Sequence, residues 1–213
     1  MHIKKVAIAL AMTAGLSSNA ALAAETYVGI SVGKSDVKSW VTEEDINQIF
    51  IEETGFPVTS GHGETSDSSL KIYLGIASSE NLHIRLGYAN LGEATFEAAN
   101  SFVSLDGSVE NQGVFADLLA RFKPAEKIAV YGKIGAAFMK TDMTISAVGP
   151  GGSFEETLQG DSLVLVPGVG ISLNITEKIG LSAEYERYLD VGDDEETGTS
   201  DVDVVTAGIF VSF

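Results

Sequence analysis

Glu177-Lys178-Ile179-Gly180-Leu181-Ser182-Ala183 decides how this chain is read. It is a polar turn followed by strict alternation of apolar and other residues. The theme occurs twice more, at Glu80-Asn81-Leu82-His83-Ile84-Arg85-Leu86 and at Glu126-Lys127-Ile128-Ala129-Val130-Tyr131-Gly132. Alternation at period 2 is the signature of a strand with two different faces. Alternating segments also precede each turn, over 70–77, 114–122 and 163–173, and two more stand at 28–32 and 205–213. The pattern predicts eight strands whose connections alternate long and short.

Sorting the strand residues by face separates two chemistries. One face collects Val28, Ile30, Val32, Leu74, Ile84, Leu86, Val114, Leu118, Ile134, Phe138, Leu165, Ile171, Leu181, Tyr185 and their equivalents, with no charge among them. The other collects Gly29, Gly33, Gly75, Gly87, Gly135, Gly168, Gly170, Gly180 and Gly208, together with Lys71, Arg85, Asp117, Arg121, Lys133, Glu184 and Glu186. A soluble lipocalin-like barrel would turn the apolar face inward. A transmembrane barrel turns it outward against lipid, where a midplane Lys or Arg costs roughly 2–4 kcal/mol. Three features favour the membrane. Glycine suits a crowded small-barrel interior better than a solvated wall. Long connections on one end only are not needed by a soluble barrel. The chain also closes on Val205, Ala207, Ile209, Val211 and Phe213, an apolar outer stripe. A Gly-x-Trp near the first strand, expected of a lipocalin, is missing; Trp40 falls in a loop.

Composition sets bounds. The chain has 213 residues, no Cys, 45% hydrophobic residues and a formal charge of −17. The length suits one domain. Without Cys there is no disulfide and no thiolate chemistry. The acid excess argues against nucleic acid, which binds through Lys and Arg neutralising phosphates. A mean hydropathy of +0.18 argues against disorder.

Residues 1–23 read as a secretory signal peptide. Lys4 and Lys5 form a basic start, 6–16 is an apolar stretch too short to span a bilayer, and Ala21-Leu22-Ala23 is an A-x-A cleavage site. The expected mature unit is a single barrel over 24–213. Its longest apolar run, 163–169, contains Pro167, so no transmembrane helix is expected.

Several stretches carry a family likeness: Leu86-Gly87-Tyr88-Ala89-Asn90-Leu91-Gly92, Tyr131-Gly132-Lys133-Ile134-Gly135, Pro167-Gly168-Val169-Gly170, Ala183-Glu184-Tyr185-Glu186-Arg187-Tyr188 and the closing 205–213. The chain resembles the OmpA-like and opacity-type small outer-membrane barrels of Gram-negative bacteria. The resemblance implies an all-β fold, an eight-stranded antiparallel up-and-down transmembrane β-barrel with both termini periplasmic. It implies location in the cell outer membrane, contact with outer-membrane lipid and lipopolysaccharide, and a C-terminal strand (Val205, Ala207, Ile209, Val211, Phe213) read by the outer-membrane insertion machinery. The longer members of the family add a peptidoglycan-binding domain; none is expected in this chain.

An eight-stranded barrel is filled by its own side chains. Lys71, Arg85, Arg121 and Lys133 against Asp117, Glu184 and Glu186 are therefore expected to form a structural ion-pair network in the lumen. The alternative is a narrow gated ion path, the role that such a network has been given in OmpA-like proteins. Arg121, Lys133 and Glu184 match basic, basic and acidic positions of that network, whereas Arg85 stands where the family usually has an acid.

Outside the barrel, Thr42-Glu43-Glu44-Asp45 resembles a helix start, with Ile46, Ile49, Phe50 and Glu53 following at helical spacing. Residues 96–109 and 144–158 read as strands extending beyond the membrane. The loop 190–203 holds Asp193, Asp194, Glu195 and Glu196; its spacing matches no EF-hand, so a solvated acidic loop is expected and no metal site. His62 and His83 lie in no nucleophile motif. The expectation is no enzyme and no cofactor. Seven acids belong to the lumen, the turns and position 25, which leaves 23 of 30 on the outward side against 4 bases. The reading is a structural and surface-interaction protein, acting in envelope integrity or in adhesion to a surface or host ligand through its loops. A narrow channel for small solutes or ions is the alternative.

Overall fold

The computed structural model describes residues 25–38, 47–48, 51–52, 55–193 and 197–213. The strands are β1 (Thr26–Val37), β2 (Ser60–Glu64), β3 (Ser66–Ala77), β4 (Leu82–Ala99), β5 (Ser104–Ala125), β6 (Ile128–Gly149), β7 (Gly152–Asn174), β8 (Ile179–Asp193) and β9 (Gly198–Ser212). All pair antiparallel with their neighbours. β1 meets both β3 and β9, and β4 meets β5, so the sheet closes on itself.

There is one strand more than the eight expected. β2 pairs Ser60–Glu64 with Ala99–Thr95 of β4, while β3 pairs Leu70–Ala77 with Asn90–His83 of the same strand. The two are halves of one long ribbon arm, broken where the register steps by one residue. The closed ring itself is eight-stranded. Ser60-Gly61-His62-Gly63-Glu64 carries no apolar alternation, so nothing in its composition marks it as a strand.

The wall inverts the burial of a soluble protein. On β6, Ile128, Val130, Ile134 and Phe138 point outward and are exposed, while Ala129, Tyr131, Lys133, Ala137 and Met139 are buried between them. The outward belt continues around the ring through Leu86, Val114, Leu118, Leu163, Leu165, Val169, Ile171, Val205 and Ile209. Such a surface is stable only against hydrocarbon, and a closed barrel leaves no backbone group unpaired there. Val205, Ala207, Ile209, Val211 and Phe213 all lie on this outer face. Phe213 N–H donates to Thr26 C=O at 2.8 Å, where β9 seals against β1.

The interior explains the glycines. Gly29 stands opposite Tyr73, Gly75 opposite Tyr27, Gly87 opposite Phe115, Gly170 opposite Tyr131 and Gly180 opposite Phe210. In four of these pairs a Cβ on the glycine would fall within 2.1 to 2.5 Å of the partner ring. Each aromatic lies flat over the bare backbone opposite, which fills the lumen without forcing the wall outward.

The long connections are mostly strand. β4 and β5 pair out to Ala99↔Ser104, and β6 and β7 pair out to Gly149↔Gly152, leaving Pro150 and Gly151 as the turn. The 96–109 and 144–158 expectations hold. A bulge at Leu91-Gly92, with Gly92 at φ 80°, marks the upper edge of the apolar belt on β4. In the first loop Asn47, Gln48, Ile51 and Glu52 are helical. Thr42, Glu43, Glu44, Asp45, Ile46, Ile49, Phe50 and Glu53 lie outside the described residues, as do Trp40, the whole of 1–23, and Asp194, Glu195 and Glu196.

Candidate functional site

Six of the seven charges expected in the lumen meet in one closed cycle. Lys71 (β3) contacts Glu186 at 2.5 Å and Glu184 at 3.2 Å (both β8). Glu184 binds Arg85 (β4), and Arg85 reaches Asp117 (β5) at 3.0 Å. Asp117 holds Lys133 (β6) at 2.9 Å, and Lys133 returns to Glu186. Three cations and three carboxylates alternate around the ring, so its formal charge is zero. All six are buried, from 0% exposed for Lys71 and Glu186 to 7% for Lys133. A buried charge that is paired on both sides is tolerable; one that loses a partner is strongly destabilising.

Register and missing side chains make the cycle possible. Arg85 and Asp117 are direct partners across β4 and β5. Lys133 and Glu186 are not neighbours; both flank Gly168 of β7. A Cβ there would lie 2.9 Å from the Lys133 side chain and 3.2 Å from that of Glu186. One step along, Tyr131 and Glu184 flank Gly170 in the same way, and the Tyr131 hydroxyl donates to Glu184 at 2.6 Å. Pro167-Gly168-Val169-Gly170 is thus a corridor through which β6 side chains cross to β8. Aromatic faces complete the shell: Lys71 sits 5.0 Å above the Phe115 ring, and Arg85 sits 4.8 Å above Tyr73.

Arg121 is the correction. It faces inward as expected but is in none of the ion pairs between described residues. Its partners are His83 Nε2 at 3.1 Å and Ser172 Oγ at 3.0 Å, near the short turns. The physical reason is distance along the strand: Arg121 stands four residues from Asp117, toward the turn at 126–127, too far down the lumen to join the cycle. Arg85, which departs from the family pattern, is by contrast a central member. Alternation alone does not mark Tyr73, Phe115 and Tyr131 as members of this site. The available signal was their position opposite inward glycines.

Above the belt the outward face turns polar. Arg187 and Asp203 pair at 2.6 Å, with the Tyr185 hydroxyl donating to Asp203 at 2.9 Å and Lys38 at 3.2 Å. The Arg187 hydrogen bond holds the Asp203 carboxyl well below its usual range. Asp67 accepts the Glu93 and Ser68 N–H groups at 2.9 and 2.6 Å, which lowers its pKa too. Glu64, Glu93, Glu97, Asp106, Glu155, Glu156 and Asp161 are exposed on this side. Among the described residues no group of three or more His, Asp or Glu is placed to hold a metal ion.

A search of curated proteins gave no match. Among solved structures, the chain is similar to Ail, the attachment invasion locus protein of Yersinia pestis, in complex with the heparin analogue sucrose octasulfate. The identity is 18% over 90% of this chain and 100% of that one, with a TM-score of 0.51. Neisserial surface protein A is 17% identical over 88% and 97%, with a TM-score of 0.49. The outer-membrane protease OmpT from Escherichia coli is 10% identical over 92% and 100%, with a TM-score of 0.46. The family described as OmpA-like transmembrane domain matches residues 21–213. That match, on a closed barrel with an apolar outer belt, places the protein in the cell outer membrane: the chain belongs to the OmpA-like transmembrane domain family.

Proposed function

We propose that the protein is a non-catalytic surface-interaction and structural component of the outer membrane. Its barrel anchors a rigid acidic crown that contacts basic partners outside the cell. The observation that carries this reading is the length of the paired strands beyond the apolar belt. From Phe138, the last outward apolar residue of that belt on β6, pairing with β7 continues through Val148. At strand rise that is roughly 30 Å of ladder. Hairpins of this kind present fixed tips, so less ordering entropy is lost on contact than with free loops.

The chemistry of the crown sets the class of partner. On the topology read from the sequence, 23 acids against 4 bases belong to the outward side, so the crown attracts basic surfaces at low salt and repels polyanions. The sulfated ligand of Ail is therefore not carried over to this chain. At the tips Phe56 and Phe102 pack at 4.9 Å between ring centroids, 51% and 50% exposed, with Val148 54% exposed. Exposed aromatics ringed by polar groups suit the anchor of an interface.

Residues 1–23 are assigned as the cleaved export signal, and the outer stripe of β9 as the segment read during membrane insertion. The channel alternative draws no support from the lumen, which the six-charge cycle crosses. For catalysis, His83 is engaged by Tyr27 and Arg121, and His62 lies 3.8 Å from Glu64; neither addresses an activated nucleophile. The test is adhesion of cells expressing the barrel with its outer hairpins cut back to the belt. Attachment should fall to the level of cells lacking the protein. Undiminished attachment by correctly inserted, loopless barrel would end the proposal.

A further inference from the structure

Below the charge cycle, on the side of the short turns, the lumen opens into a cavity of about 300 Å³. Short turns face the periplasm in barrels of this class. Arg85 and Tyr131 form part of its roof, and both are already engaged by Glu184. Arg121 reaches into it and is in no ion pair with a carboxylate among the described residues; its partners are His83 and Ser172. A guanidinium can only donate. A His83 ring nitrogen therefore accepts from Arg121, with Nε2 at 3.1 Å and Nδ1 at 3.4 Å, and Nδ1 also stands 3.3 Å from the Tyr27 hydroxyl.

Ser172 and Ser182 are register partners across β7 and β8. Ser182 lines the cavity, is 8% exposed, and its hydroxyl is buried without a hydrogen-bond partner. A buried polar atom left unpaired is destabilising, and a ligand that accepts or donates there relieves that cost. The deep end therefore offers one cation with spare N–H donors and two hydroxyls, in a space suited to a small molecule. Lys123 adds a second cation at the mouth, where Glu25 and Glu80 also stand, so a net positive field is confined to the deep end.

We propose that this vestibule binds a small oxyanion, a carboxylate or phosphate, from the periplasmic side, anchored by Arg121 and by the Ser172 and Ser182 hydroxyls. Because the charge cycle closes it from above, the vestibule is a dead-end receptor site and not the entrance to a pore. The test is amide NMR of the full barrel in nanodiscs, titrated with inorganic phosphate and separately with acetate at constant ionic strength. Saturable shifts are expected at His83, Ser172 and Ser182. Arg121→Gln should weaken the tighter-bound anion by about tenfold or more, the loss of one charge-assisted contact. Arg187→Gln, on the outer face, should titrate like wild type. Ser182→Ala, which folds without needing a new partner, should weaken binding by a smaller factor. Linear, non-saturating shifts with both anions, or wild-type affinity in both Arg121→Gln and Ser182→Ala, would overturn the site.

Discussion

Gly170 holds two roles that its lack of a side chain makes compatible. It lets the Tyr131 ring lie across β7, and it lets the Tyr131 hydroxyl reach Glu184. A valine there would meet the ring at about 2.5 Å from its first carbon. We expect Gly170→Val to cost about 1–3 kcal/mol, as overpacked cores do, read as a lower urea midpoint of the refolded barrel. The charge cycle makes a sharper prediction. Arg85→Leu leaves Glu184 and Asp117 each short of a buried partner and should cost about 3–5 kcal/mol. Adding Glu184→Leu should restore part of that loss; a double variant as unstable as the sum of the singles would show that the two residues do not act through each other. Strand parity alone showed which charges point inward. It did not show which pair, because Arg121 and Lys133 share a parity while only Lys133 has a glycine gap leading to Glu186.

At the scale of the element, the apolar half of each strand was legible and the polar half was not. Outward apolar alternation ends where lipid ends: β2 carries no apolar pattern, and on the outer part of β9 the apolar residues change face, with Val202 and Val204 buried inside and Asp201 and Asp203 on the opposite face. The bulge at Leu91-Gly92 and the positive φ of Asp190 (54°) are likewise matters of local backbone geometry at the belt's edge. The outer ends of β8 and β9 are tied by Arg187 and Asp203, and this tie is acid-sensitive. Because the folded Asp203 is held below the usual carboxylate value of 3.8, its contribution is complete above that value and fades as the pH falls below it. Proteolysis at the outer ends of β8 and β9 should therefore rise below about pH 4. Asp203→Asn should remove that pH step; the step persisting in Asp203→Asn would assign it to another carboxyl. For the last strand, Phe213→Asp should lower the amount of inserted barrel in cells while refolding into detergent stays near wild type. An equal loss in both would mean that Phe213 serves stability and not insertion.

At the scale of the whole molecule, the chain separates a bulk charge of −17 from a hydrophobic content of 45% by geometry. Apolar side chains line the outer belt, six lumenal charges pair in a neutral cycle, and exposed acids such as Glu93, Glu97, Glu155 and Glu156 stand beyond the belt. The sign and amount of the excess were readable from composition, and its placement followed from the strand count. The neutral closed cycle was not readable, since it depends on how eight strands are staggered around the ring. This arrangement predicts that binding to a basic partner weakens steeply with salt, a dependence measurable between low and physiological ionic strength. Salt-independent binding would shift the contact to the Phe56 and Phe102 tips. Closure of the lumen by Lys71, Arg85, Asp117, Lys133, Glu184 and Glu186 underlies the rest of this arrangement. Planar-bilayer conductance of the folded wild-type barrel tests it most directly: no discrete currents above the bare bilayer are predicted, and reproducible stepwise openings of the wild-type protein would contradict it.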